Sequence, residues 1–273
     1  MRRLLFSLML SLGLALAASP LRLATTTSVH DSGLLDAILP GFTAETGIPV
    51  QVIAVGTGQA LAIAGRGDAD AVLVHAPALE AEFLQEGKGA LHACLAKNRF
   101  LIVGPPEDPA GVRWETNVLN ALRKIYLKGA LFVSRGDRSG THKKELELWQ
   151  AAGLDPQGKR WYLESGSGMG ATLTLASEKD AYTLTDLGTF LFLREKVRLV
   201  ALFDRDDPRM LNQYSYMVVN PERFPWVHFE GAKKLRAYLL RPEVQEKIGA
   251  YLKDRFGQSL FEPLFGRCVI PVP

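Results

Sequence analysis

Ser134-Arg135-Gly136-Asp137-Arg138-Ser139-Gly140-Thr141-His142 joins an apolar, strand-like run, Ala130 to Val133, to a helix-like one, Lys143 to Ala151. A strand that turns through glycines into a helix leaves unpaired backbone N–H groups at its C-terminal edge, and the helix dipole adds positive potential there. In α/β proteins that edge is where ligands sit. Here it carries Arg135, whose planar fork of donors suits oxyanions, together with the hydroxyls of Ser139 and Thr141. Plainer readings exist for each residue: an ion pair of Arg135 with Asp137, Thr141 as a helix N-cap, His142 as a helix-face residue. A second hydroxyl-rich turn of the same kind, Thr25-Thr26-Thr27-Ser28, lies near the other end of the chain. It also reads as a polar strand end followed by caps at Ser28, Asp31 and Ser32. Capping aims N–H groups and hydroxyls in one direction, so the two readings are compatible. One such turn in each half predicts a small oxyanion held between two lobes.

Further glycine turns share the pattern. Val55-Gly56-Thr57-Gly58-Gln59-Ala60-Leu61 lacks the third glycine of a dinucleotide fingerprint and the lysine of a P-loop, but Thr57 offers a hydroxyl. Ser165-Gly166-Ser167-Gly168-Met169-Gly170 opens another helix, and Tyr182 to Thr189 forms another hydroxyl-bearing turn. No single turn is specific. Their recurrence is.

Around these turns, strand and helix patterns alternate. Leu21–Ala24, Val50–Val55 and Ala71–Val74 read as strands separated by helices over 32–46 and to about Ala64, with Pro40 expected to kink the first. Such alternation predicts a parallel sheet with right-handed crossovers. It restarts after Phe100–Val103, and helices over 229–240 and 242–256 close the chain. Those last helices have no sheet of their own, so burying them against the first lobe makes it discontinuous. The expectation is lobe I over 19–98 plus 216–273 and lobe II over 99–215, joined by two crossings that act as a hinge.

Arg2-Arg3 followed by the apolar run Leu4–Leu16 and the small residues before position 19 reads as a secretory signal peptide, residues 1–18, cleaved near Ala18. That predicts a periplasmic protein. The formal charge of +3 falls to about +1 without Arg2 and Arg3, and no basic cluster points to nucleic acid. The two cysteines, Cys94 and Cys268, could form one long-range disulfide or remain two buried thiols. Two cysteines without a convincing set of histidine neighbours make a zinc site a poor reading.

Taken together, the chain resembles the tungstate-binding proteins of bacterial ABC importers, the TupA family. The likeness runs through Thr25-Thr26-Thr27-Ser28 with Asp31 to Leu35, through Val55 to Leu61, Gly67 to Asp70, His75-Ala76 and Val103-Gly104-Pro105 with Asp108-Pro109. It continues through Ser134 to His142 with Glu145, Tyr182 to Thr189 and Asn212-Gln213-Tyr214. The resemblance implies an α/β, two-lobed periplasmic-binding-protein fold of type II, molybdate-binding-like, with parallel-rich sheets flanked by helices. It implies a tetrahedral oxyanion, tungstate first and molybdate next, bound by Thr26, Thr27, Ser28 and Thr57 from one lobe and by Arg135, Ser139 and Thr141 from the other. No cofactor is implied, since the metal arrives as its oxyanion. The implied partners are an ABC permease and ATPase at the inner membrane, with the binding protein itself a monomer. The chain departs from the family pattern at Cys94–Phe100, at Leu187, where an arginine is expected, and in a short Gly111–Lys128 segment.

Rival readings are a carrier for sulfate or phosphate and, from another class, a secreted serine hydrolase using Ser139 with His142. A nucleophile needs a base within reach, oriented by a third group, and no such motif is evident in the sequence.

Overall fold

A computed structural model describes residues 19–272, so the expected signal peptide lies outside the described residues. The N-terminal part alternates β1 (Leu21–Thr26), α1 (Thr27–Asp31), α2 (Leu34–Thr46), β2 (Val50–Val55), α3 (Thr57–Ala64), β3 (Ala71–Val74) and α4 (Pro77–Gln85). Strand β1 lies between β2 and β3 and runs parallel to both. The apolar face read from the sequence, Leu34, Leu35, Ile38, Leu39 and Phe42, is the buried face of α2. Pro40 does not end that helix, because residues on both sides of it are anchored in the core. The hydroxyl turn is itself helical: Thr26 caps α1, accepting from the Val29 N–H at 3.3 Å.

Next comes β4 (Gly89–Gly104), a 16-residue strand of which the sequence pattern showed only the last part. It is followed by α5 (Val118–Lys128), β5 (Phe132–Ser134), α6 (Gly140–Ala151), β6 (Tyr162–Glu164), α7 (Met169–Glu178), β7 (Thr183–Asp186), α8 (Leu187–Leu193) and β8 (Val200–Phe203). The chain returns through β9 (Leu211–Val219) and ends in α9 (Phe229–Leu239), α10 (Pro242–Ala250), α11 (Lys253–Phe256) and β10 (Glu262–Gly266).

The main sheet has the order β10-β4-β9-β3-β1-β2 and is mixed. The βαβ units are parallel, as the alternation predicts, whereas β9 runs antiparallel to both β3 and β4. Strand β4 changes partners along its length. Gly89 to Arg99 pair with β9, and Phe100 to Val103 pair with β7. Strands β5 and β6 form a separate parallel pair. The large core cluster unites β1, α2, α7, α8, α9 and α10 through residues such as Leu23, Phe42, Leu173, Phe190, Leu235 and Ile248. A second cluster, around Trp149, Phe132 and Phe203, packs α5 and α6 against β5 and β8.

Cys94 and Cys268 form a disulfide with Cα atoms 5.1 Å apart. It fixes the C-terminal segment beside β4. Gln213 completes the attachment: its Oε1 accepts from Val269 N at 2.7 Å and Ile270 N at 2.8 Å, and its Nε2 donates to the Ile270 carbonyl.

Candidate functional site

The C-terminal ends of β1 and β5 face each other. From β5 comes Arg135, 1% exposed, its Nη2 donating to Thr27 Oγ1 at 3.0 Å and to Asp137 Oδ2 at 2.5 Å. Gly136 (φ 60°) gives the chain the left-handed turn that folds Asp137 back onto Arg135. Asp137 Oδ1 accepts from the Ser139 N–H at 3.1 Å, and Ser139 Oγ caps α6 by accepting from the His142 N–H at 3.2 Å. On the facing side Thr57, at the start of α3, accepts from the Gly140 N–H at 2.9 Å. A methyl group on Gly140 would lie 2.9 Å from Thr57 Oγ1 and 3.1 Å from His75 Cε1, so only glycine permits this approach. Gly168 makes a similar approach to Thr27 from the start of α7.

The structure thus brings the seven sequence-predicted residues into one cluster, six of them buried and Thr27 half-buried. Thr26, Ser28, Thr57, Arg135, Ser139 and Thr141 are each at most 1% exposed. Arg135 Nε and Nη1 and Thr141 Oγ1 are buried without a hydrogen-bond partner among the described residues. Burying a polar donor unpaired is costly, so these atoms mark where a ligand's acceptors fit. Beside the cluster, a pocket of about 240 Å³ is lined by His75, Phe100, Gly140, Lys143, Asn212 and Ile270.

The ion pair of Arg135 with Asp137 exists, but the N-cap of α6 is Ser139 and not Thr141, which lies inside the helix. The ion pair and the cap hold the donors in place. The Ser139–His142 hydrolase arrangement is absent. Ser139 contacts the His142 backbone, and the imidazole Nδ1 accepts from the Arg138 N–H at 3.0 Å.

The sequence from residue 16 to residue 243 matches the family model of the PBP superfamily domain. A curated tungstate-binding protein TupA from Peptoclostridium acidaminophilum is 44% identical over 88% of this chain and 84% of the relative. The chain belongs to the TupA family. A putative ABC transporter anion-binding protein from Haloferax volcanii is also 44% identical, over 89% of this chain and 71% of the relative. The crystal structure of the tungstate ABC transporter from Geobacter sulfurreducens superposes with a TM-score of 0.78 at 47% identity, covering 85% of this chain and 98% of that one. The tungstate-binding protein TupA of Desulfovibrio alaskensis G20 gives 0.76 at 42% identity, covering 91% and 99%.

Two buried polar residues beside this cluster are not among those the sequence singles out for binding. Asp186 lies in the Tyr182–Thr189 turn. It caps α8, its Oδ1 accepting from the Thr189 N–H at 2.9 Å, while Oδ2 is buried without a hydrogen-bond partner among the described residues. Burial raises its pKa, against the pull of Thr189 and the Arg135 charge. The lining is therefore not hydroxyls and guanidinium alone. His75, at the end of β3, is 3% exposed and lies 3.1 Å from Ser28 Oγ through Nε2. Burial and the nearby Arg135 charge push its pKa down to about 4. A lone histidine after an apolar strand carries no pattern; only the fold brings it to Ser28. Leu187, where the family resemblance suggested arginine, is 2% exposed in the large core cluster.

Proposed function

We propose that this chain is an extracytoplasmic solute-binding protein that captures tungstate in the cluster around Arg135 and delivers it to an ABC permease. The observation that carries the reading is Arg135 itself. It is a buried guanidinium held by Thr27 and Asp137, with two nitrogens and Thr141 Oγ1 unpartnered among the described residues. A fully ionised tetrahedral oxyanion presents only acceptors, which such donors satisfy. The names of the relatives, tungstate-binding and anion-binding proteins, support the same ligand class.

Thr26, Thr27, Ser28 and Thr57 form one wall of the proposed site, and Arg135, Ser139 and Thr141 the other. We place the hinge where β4 changes partners, at Arg99–Phe100, with lobe I over 19–98 plus 216–273 and lobe II over 99–215. Hinge closure would exclude water, which strengthens each charged contact. The reaction is capture and release without bond chemistry, and the protein acts as a monomer in the periplasm.

Calorimetric titration of the mature protein with tungstate, molybdate, sulfate and phosphate tests the reading. Tungstate is expected to bind with the highest affinity. Sulfate binding as tightly as tungstate would defeat the named specificity.

A further inference from the structure

One hydrogen-bond chain runs from the candidate site to the crossing strands, and both of its ends are backbone atoms of fixed character. At one end the Val29 N–H can only donate, to Thr26 Oγ1 at 3.3 Å. At the other the Leu260 carbonyl can only accept, from Asn98 Nδ2 at 3.1 Å. The Leu260 end, with a neutral imidazole midway, sets the direction of the bonds between them. Asn98 turns its nitrogen to Leu260, so its Oδ1 accepts from Asn212 Nδ2 at 2.9 Å. Asn212 then presents its Oδ1 to His75 Nδ1, 2.9 Å away. An amide oxygen accepts only, so Nδ1 carries the imidazole proton. Buried beside the Arg135 cation, the ring is neutral, and its bare Nε2 accepts from Ser28 Oγ at 3.1 Å. Ser28 has one hydrogen, and it goes there. Its oxygen accepts from Thr26 Oγ1 at 3.0 Å, and the Thr26 oxygen accepts from Val29. The Val29 end agrees with this direction without fixing it, since a hydroxyl oxygen can accept twice.

We propose that His75, as the Nδ1–H tautomer, is a positioning residue of the oxyanion site: it turns the hydroxyl hydrogens of Ser28 and Thr26 inward and ties that turn to β4 and β9. The hydrogens that meet the oxyanion then come from Thr27, Thr57, Arg135, Ser139 and Thr141. This division of labour rests on the oxyanion reading; the direction of the chain does not.

Ser28, His75 and Asn212 outwardly resemble a nucleophile, base and orienting group. The electrostatics differ. A base that takes up a proton needs a partner to stabilise the imidazolium, and Asn212 is a neutral amide while Arg135 repels that charge. The histidine is a fixed acceptor.

Nitrogen-15 NMR of histidine-labelled protein at pH 7 reads the tautomer directly. The His75 signals are expected to show a protonated Nδ1 and a bare, hydrogen-bonded Nε2, with and without tungstate. A protonated Nε2 would overturn the proposal. Two variants supply the binding test. His75→Leu removes both partners and is expected to weaken tungstate binding at least about tenfold. His75→Gln keeps an acceptor oxygen beside a donor nitrogen and is expected to stay within about threefold of the parent. Equal losses in the two variants would reduce His75 to a packing residue and refute the positioning role. Failure of the parent protein to bind tungstate would instead sink the oxyanion reading, with the tautomer still deciding the chain.

Discussion

Arg135 brings a full positive charge to a position 1% exposed, where two of its nitrogens have no partner among the described residues. Asp137 offsets part of that charge and sets the side chain's direction. A neutral residue there would leave the oxyanion without its charge-assisted contact, worth about 1.5–3 kcal/mol. Arg135→Ala is therefore expected to weaken tungstate binding at least about tenfold in calorimetry; unchanged affinity would remove Arg135 from the site. Arg135 was legible in the sequence because it directly follows an apolar strand and precedes a capped helix. His75 was not, because its partners Ser28 and Asn212 lie 47 and 137 positions away. Asp186 was hidden for a related reason. A helix-capping aspartate looks the same in sequence whether its second oxygen meets water or is buried.

Helix α6 carries Ser139 to Thr141 at its start, and Glu145 fixes its next turn. Glu145 Oε1 accepts from Tyr162 OH at 2.6 Å and from Trp149 Nε1 at 3.0 Å, linking α6 to β6. The carboxyl is 2% exposed, and burial pushes its pKa up to about 7. A raised folded-state pKa means that the folded protein prefers the protonated acid. This contribution is fully present below the ordinary value of 4.5 and is lost as pH rises through about 7. Thermal unfolding of the parent and Glu145→Gln across that window checks it. The parent is expected to lose stability relative to the variant as pH rises, and a constant difference would contradict the assignment. At this scale the sequence pattern served the helices well, since α2, α3 and α5 are amphipathic and end at glycine. It missed most of β4 and all of β10. Strand β4 mixes His92, Lys97, Asn98 and Arg99 with apolar residues because its two parts face different neighbours, so no single alternation runs through it.

Across the whole molecule, β4 and β9 run side by side between the strands that deliver Thr26 and those that deliver Arg135, and the C-terminal segment is fastened to both. The Cys94–Cys268 disulfide joins residues 174 positions apart, closing a loop that spans most of the described chain. Cys268→Ser is expected to lower unfolding stability by about 2–5 kcal/mol, the usual consequence of losing a native bridge. Denaturant unfolding would show it, and an unchanged midpoint would mean that Gln213 and β10 hold the segment alone. The pairing was open in the sequence, since two cysteines so far apart state no geometry. The alternation of elements was enough to read a two-part α/β fold. The mixed character of the sheet comes from β7, β8, β9 and β10, whose antiparallel pairings no local pattern announces. Diffraction from crystals grown with tungstate, recorded at a tungsten absorption edge, locates the ligand without reference to any other atom. The anomalous peak is expected within hydrogen-bond reach of Arg135 and Thr141, between the ends of β1 and β5. A peak elsewhere, with that cluster empty, would contradict the proposed site.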